Sequence, residues 1–218
     1  MTAARVWYVA YGSNMCAARL RYYLAGGRPP GAARVYPGCR DTRPPARDAP
    51  VSLPGGVYFA LRSRVWGGGL AFYDPSLRDP RPGDPRQPGL VPARAYLITA
   101  GQFADLAAQE MGRAPGTDLD LAPLRATGRH QLGPGRYETL VGLGTRDGWP
   151  MLTMTAPWSA GSVEPTAPAA IYLRMLATGL AESHGWSPAR IAGYLAARPG
   201  AQGTWSVSMI ADLLAEIG

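Results

Sequence analysis

A chain of 218 residues, 46% of them apolar, is long enough to bury a core and too apolar for a disordered protein. All of its 22 basic residues are arginine, against 15 acidic residues, for a net charge of +7. The lack of lysine excludes Schiff-base and lysine-nucleophile chemistry. The arginines are spread along the chain, whereas a nucleic-acid face clusters its cations with aromatics; the spread reads as compositional bias, the other reading being an acidic partner or substrate. Cys16 and Cys39, like His130 and His184, are too isolated for an ordinary Cys/His zinc site, which needs about four ligands. A Cys16–Cys39 disulfide is allowed but not required. No apolar run reaches the roughly 18 residues of a membrane span. The expectation is a soluble cytoplasmic chain with neither nucleic acid nor membrane as partner.

In chain order, Arg5 to Tyr11 is a continuous aromatic and β-branched run, the pattern of a strand buried on both faces. Gly12-Ser13-Asn14 ends it. Met15 to Leu24 then reads as a helix packing through Met15, Ala18, Leu20 and Tyr22 or Tyr23, stopped by Gly26-Gly27. Prolines limit Val35 to Pro54 to short strands. Gly56–Leu61 and Gly69–Tyr73 read as strands, and Asp74 to Pro92 as a Pro/Gly/Arg-rich loop. Ala93–Ile98 is a strand, after which Thr99 can cap a helix from Gly101 to about Gln109, closed by Gly112. Pro115 to Pro134 reads as irregular and polar. Tyr137–Leu143 and Met151–Thr155 form a hairpin around Asp147-Gly148. Three helices follow: Thr166/Pro168 to about His184, Ser187-Pro188 to before Pro199, and Ser208 to Ile217 with Ile210, Leu213, Leu214 and Ile217 on one face. No linker divides the chain, so one domain over 1–218 is expected.

Tyr11-Gly12-Ser13-Asn14 is the most informative feature. A helix N-terminus offers about four unpaired N–H donors and a partial positive charge, and a glycine admits close approach of a ligand. Such a turn can bind a carboxylate, a phosphate or a developing oxyanion. It can equally be a plain N-cap through Ser13 or Asn14.

A buried strand ending in Tyr-Gly-Ser-Asn-Met at 11–15 resembles the γ-glutamylcyclotransferase-like family. Trp66-Gly67-Gly68-Gly69-Leu70-Ala71 is similar to that family's Gly-Gly strand, and Leu97 to Gly112 to its strand-then-helix segment ending in Gln-Glu, here Gln109-Glu110. Tyr137 matches a substrate-side tyrosine, and Pro168 with Tyr172 resembles a Pro-x-x-x-Tyr opening a late helix. The departures are Met111 between Glu110 and Gly112, and inserts near 74–92 and 111–136.

The resemblance implies an α+β fold, with a small, mostly antiparallel, barrel-like sheet and helices outside it. It implies Glu110 as the single acid/base, and substrate binding by Tyr11, Gly12, Ser13, Asn14, Met15, Gly69 and Tyr137. Trp66, Tyr137 and Tyr172 are candidate pocket walls, with core packing the alternative for each. The implied substrate is a small γ-glutamyl amide whose own α-amine attacks the γ-carbonyl, releasing 5-oxoproline and an amine. That chemistry needs no metal or cofactor, because the nucleophile belongs to the substrate; it needs a carboxylate able to act as an acid near neutrality through partial burial. An amide hydrolase or deacylase on the same scaffold, and a non-catalytic small-molecule-binding module, are the competing readings.

Overall fold

The structure is a computed structural model describing residues 4–30, 35–63, 65–77, 80–81 and 84–215, with the backbone alone for 80–81 and 84–88. Its elements are β1 (Arg5–Ala10), α1 (Ala17–Ala25), β2 (Arg47–Pro54), β3 (Gly56–Ala60), β4 (Leu70–Asp74), β5 (Pro80–Arg81), β6 (Asp84–Pro88), β7 (Leu90–Thr99) and α2 (Ala100–Glu110). There follow α3 (Ala122–Thr127), β8 (Arg129–Gln131), β9 (Thr139–Arg146), β10 (Trp149–Thr155), α4 (Ala170–His184), α5 (Pro188–Ala196) and α6 (Val207–Ala215). The class is α+β, as expected. A six-stranded sheet runs β2-β7-β1-β10-β9-β8. β1 lies antiparallel to β7 and parallel to β10, while β9 is antiparallel to both β10 and β8. Among the described residues the sheet ends at β2 and β8 and does not close into a barrel.

The chain divides into two compact units. The first comprises Met1–Ala10, Ala18–Ala49 and Arg94–Pro157. Its centre is β1, buried from Val6 to Ala10 because strands pair with it on both sides. Tyr8 packs against Tyr96 and Phe103, which seats α2 on the sheet. The guanidinium groups of Arg47 and Arg146 each stand 5.3 Å from the Trp7 ring centre. The β9–β10 hairpin turns through Asp147 and Gly148, both left-handed with φ of 51° and 78°, the geometry that matches strand twist.

The second unit comprises Tyr11–Ala17, Pro50–Ala93 and Trp158–Gly218. The β3–β4 hairpin buries Tyr58, Phe59, Phe72 and Tyr73, and β3 also bonds to loop backbone, Phe59 N–H to Pro199 O and Thr166 N–H to Phe59 O. Gly69 is held by packing. A Cβ there would stand 2.0 Å from the Thr166 carbonyl oxygen, so no side chain fits without moving backbone.

Several expected elements differ. Cys16 is extended, so the expected helix from Met15 is a 3-10 turn over Ser13–Met15 followed by α1. Residues 115–134, expected to be irregular, hold α3 and β8: Gly128 caps α3 with φ 72°, and β9 supplies the ladder for β8. The 74–92 excursion contains the β5–β6 hairpin and the start of β7; residues 78–79 and 82–83 lie outside the described residues. On α6, Ile210 is buried and Leu213 and Leu214 are half-buried, while Ile217 lies outside the described residues. Cys16 and Cys39 are free, buried thiols. No helix among the described residues is long and apolar enough to cross a membrane.

The expected cap of α2 is present as a reciprocal pair. Thr99 Oγ1 accepts the Gln102 N–H at 3.0 Å, and Gln102 Oε1 accepts the Thr99 N–H at 3.0 Å. Thr99→Ala is expected to cost about 1 kcal/mol in a urea melt; an unchanged midpoint contradicts this role.

Candidate active site

Helix α2 carries a buried polar stripe. Gln102, Asp105 and Gln109 stand three, then four, residues apart and share one helical face; their exposures are 2%, 0% and 0%. Buried polar groups are costly unless bonded, and these three are bonded to backbone. Gln102 Nε2 donates to the carbonyls of Asp41 and Arg43 at 3.0 and 2.8 Å. Asp105 accepts from the Arg40 N–H at 2.8 Å, from its side chain at 3.1 Å and from the Gly116 N–H at 3.0 Å. Gln109 Nε2 donates to Tyr23 O at 2.9 Å and to Gly38 O at 3.3 Å. Cys39 lies against the same groups, its thiol donating to Tyr23 O at 3.3 Å, and burial pushes that thiol up to about 12.

The stripe fixes Glu110, the next residue after Gln109. Glu110 ends α2 and is half-buried. The Tyr23 hydroxyl of α1 donates to its carboxylate. Burial, and next the Glu110 charge, push the Tyr23 phenol well above its usual range, so it serves as a neutral donor. One turn earlier on α1, Arg19 is buried at 5% exposure. Its guanidinium stands 4.7 Å from the Tyr23 ring centre and 4.5 Å from that of Tyr36, and donates to both hydroxyls. Burial alone would lower Arg19; Tyr23, Tyr36 and the Glu110 charge outweigh it and hold the guanidinium above its usual value. The result is a half-buried carboxylate with a phenol donor and a fixed cation behind it, an arrangement suited to taking up and returning a proton.

Tyr137, in the same unit, is half-buried and has φ of 61°, a left-handed conformation that costs a non-glycine residue free energy.

In the second unit, α4 holds the Tyr11–Met15 turn. Gly179 lets the turn rest on the helix: a Cβ there would come 2.4 Å from Met15 Cβ and 2.8 Å from Cys16 N. Three residues later, Glu182 Oε2 accepts the Ala17 N–H at 3.0 Å and so caps α1. The alternative of a plain cap by Ser13 or Asn14 is not what the turn shows: no side chain caps the 3-10 turn, whose bonds are Met15 N–H to Gly12 O and Cys16 N–H to Ser13 O. Asn14 and Met15 are buried, and Tyr11 packs on Tyr73 with ring centres 5.7 Å apart. Gly12 has φ of −111°, open to any residue, so its role is space rather than backbone freedom. A Cβ on Gly12 would lie 3.5 Å from the Tyr172 hydroxyl, which accepts the Ala71 N–H at 3.3 Å.

Of the residues singled out from sequence, Glu110 and Tyr137 thus belong to the first unit, and Tyr11, Gly12, Ser13, Asn14, Met15 and Gly69 to the second. Tyr172 is buried beside Gly12, and Trp66 is half-buried, its N–H bonded to Ser63 Oγ. Sequence reading passed over Arg19, Tyr23 as a hydrogen-bond donor, and Tyr36. Its available signal was an arginine four residues before a tyrosine on an otherwise apolar helix face. Among the described residues no group of three His, Cys, Asp or Glu side chains could hold a metal ion.

No family model matches the chain. A solved structure described as a gamma-glutamyl cyclotransferase superposes with a TM-score of 0.50 at 16% identity, over 97% of this chain and 99% of that one; the fold is that of this protein. A human protein described as uncharacterized gives a TM-score of 0.49 at 17% identity, over 97% and 98% of the two chains. Among curated proteins, Histone deacetylase 5 of Arabidopsis thaliana is 34% identical over 195 residues, 81% of this chain. The match spans 28% of that protein's length.

Burial alone would raise Asp105, but the Arg40 side chain and the N–H groups of Arg40 and Gly116 outweigh it and hold the carboxyl below its usual value. A depressed folded value gives stability that is present above the unfolded value, about 3.9, and lost as pH falls through the folded one. Asp105→Asn is therefore expected to flatten the fall of Tm below about pH 4. Parallel curves for variant and wild type contradict this.

Proposed function

We propose that the protein cleaves a γ-glutamyl amide by intramolecular cyclisation, with Glu110 as the acid/base. The observation that carries the reading is Glu110 itself: a half-buried carboxylate at the end of α2, hydrogen-bonded by Tyr23 and balanced by the buried Arg19. The shared fold supports it. Glu110 takes a proton from the substrate α-ammonium, and the freed amine nitrogen attacks the γ-carbonyl carbon. The tetrahedral intermediate then breaks its bond to the departing nitrogen, to which Glu110 returns the first proton, while the second proton, shed by the attacking nitrogen as it becomes the lactam N–H, ends on the released amine as its ammonium. The products are 5-oxoproline and a free amine, and no water is consumed.

The carbonyl oxygen gains negative charge on the way and needs donors. These are assigned to the Tyr11–Met15 turn on its resemblance, a turn whose backbone α4 holds through Gly179 and Glu182. Tyr137 is assigned to orienting the glutamyl moiety. Orientation of this kind is worth roughly 7–11 kcal/mol in favourable systems. Gly69 is counted with the binding residues on the same resemblance, and its tight packing on Thr166 makes its contribution one of backbone placement.

A second reading, hydrolysis of an amide by water, is favoured by the identity to a stretch of the plant Histone deacetylase 5. The two readings part at the α-amine, which cyclisation requires and hydrolysis does not. A panel of γ-glutamyl amines and peptides, followed by mass spectrometry, is expected to yield 5-oxoproline; glutamate in its place supports hydrolysis.

Glu110→Gln is expected to lower kcat by at least about a hundredfold with the circular dichroism spectrum unchanged. Gly12→Ala fits the space available, whereas Gly12→Val crowds the Tyr172 hydroxyl and is expected to lower kcat/KM by about two to three decades with little loss of Tm. Full activity in Glu110→Gln removes Glu110 from the reaction; an active Gly12→Val that melts early makes the turn structural.

A further inference from the structure

The segment that delivers Tyr137 is organised around a second carboxylate that the reaction above does not use. Glu138 is 9% exposed. Its Oε1 receives Arg113 at 2.5 Å and its Oε2 receives the Gly135 N–H at 2.7 Å. Its backbone closes the same loop: Leu132 N–H donates to Glu138 O at 2.7 Å, and Glu138 N–H to Gly135 O at 3.3 Å. Gly133 and Gly135 wrap the carboxylate so closely that a Cβ on either would lie 2.3 or 2.8 Å from Oε2. A mostly buried carboxylate needs such partners, and here both oxygens have them.

Arg113 is placed by the end of α2. After Glu110 the chain turns at Gly112, with φ of 74°, and the Arg113 N–H donates back to Ala108 O at 2.7 Å. The same helix end therefore carries Glu110 and, three residues on, the cation that grips Glu138. Tyr137, adjacent to Glu138, is the residue in the unfavourable left-handed conformation. Such a conformation persists only where the surroundings over-determine it. We propose that the Arg113–Glu138 pair is a positioning device that holds Tyr137 in this conformation and ties its loop to the helix end bearing Glu110. The proposal rests on reading Tyr137 as a substrate-side residue. Glu138 acts through Tyr137 and is a positioning residue, not the acid/base.

The test compares Glu138→Gln, Arg113→Ala and Arg113→Lys, each alone and in a Tyr137→Ala background, by kcat and KM for 5-oxoproline release. It also includes a crystal structure of Glu138→Gln. Glu138→Gln and Arg113→Ala are expected to lower kcat/KM by about ten- to a hundredfold, mainly through KM. Arg113→Lys is expected to recover most of this, and the Glu138→Gln/Arg113→Ala double variant to lose little more than either single one, as coupled partners do. In the Tyr137→Ala background neither substitution is expected to have a further effect, and in the crystal Tyr137 is expected to leave the left-handed region.

Full additivity with Tyr137→Ala, or an unchanged Tyr137 conformation in Glu138→Gln, overturns the proposal. A loss of several decades in kcat alone would make Glu138 the acid/base and overturn it too. A wild-type protein inactive on the whole γ-glutamyl panel counts against the proposed reaction. The crystal structure then still decides the clamp on its own.

Discussion

The buried polar face of α2 is the constraint on which the first unit depends. A helix that presents Gln102, Asp105 and Gln109 to the interior cannot pack against an apolar surface without leaving donors and acceptors stranded, each at about 1–3 kcal/mol. It is matched by backbone: the carbonyls of Tyr23, Gly38, Asp41 and Arg43 and the N–H groups of Arg40 and Gly116. Backbone groups do not vary with side-chain identity and are fixed in direction, so the match sets the rotation and depth of α2 against α1 and the 38–43 segment. Glu110 follows Gln109 directly and inherits that placement. Arg19 and Tyr23 meet it because the amide that anchors α2 bonds the backbone of Tyr23 itself.

This explains why a cation is tolerated inside. Arg19 sits over two aromatic faces and donates to the hydroxyls of both rings. A guanidinium stacked on aromatic rings keeps part of its stabilisation when removed from water. The Glu110 carboxylate receives a hydrogen bond from the Tyr23 phenol and lies within the field of the Arg19 charge.

Local signals carried much of this into the sequence. The unbroken apolar run from Val6 to Ala10 marked the central strand, Thr99 marked the start of α2, and Asp147-Gly148 marked the hairpin, because each depends on residues within a few positions of one another. Gln109-Glu110 was legible only through the resemblance; nothing local says that an amide will be buried. The α3–β8 segment was illegible because β8 exists by pairing with β9, a non-local gain that overrides weak propensity. The Glu182 cap of α1 was illegible for a similar reason, since Glu182 lies 165 residues away from the N–H it accepts. Arg19 was hidden by composition: among so many arginines, a buried one has no distinguishing mark until the two tyrosine rings beside it are seen.

The central claim is that the nucleophile comes from the substrate and that Glu110 only moves protons. Turnover of a γ-glutamyl amide in heavy-oxygen water tests it most directly, with the acyl product analysed by mass spectrometry. The account predicts 5-oxoproline without incorporated label, and no product from the matching substrate whose α-amine is acetylated. Glutamate carrying heavy oxygen, or equal turnover of the acetylated substrate, would contradict it.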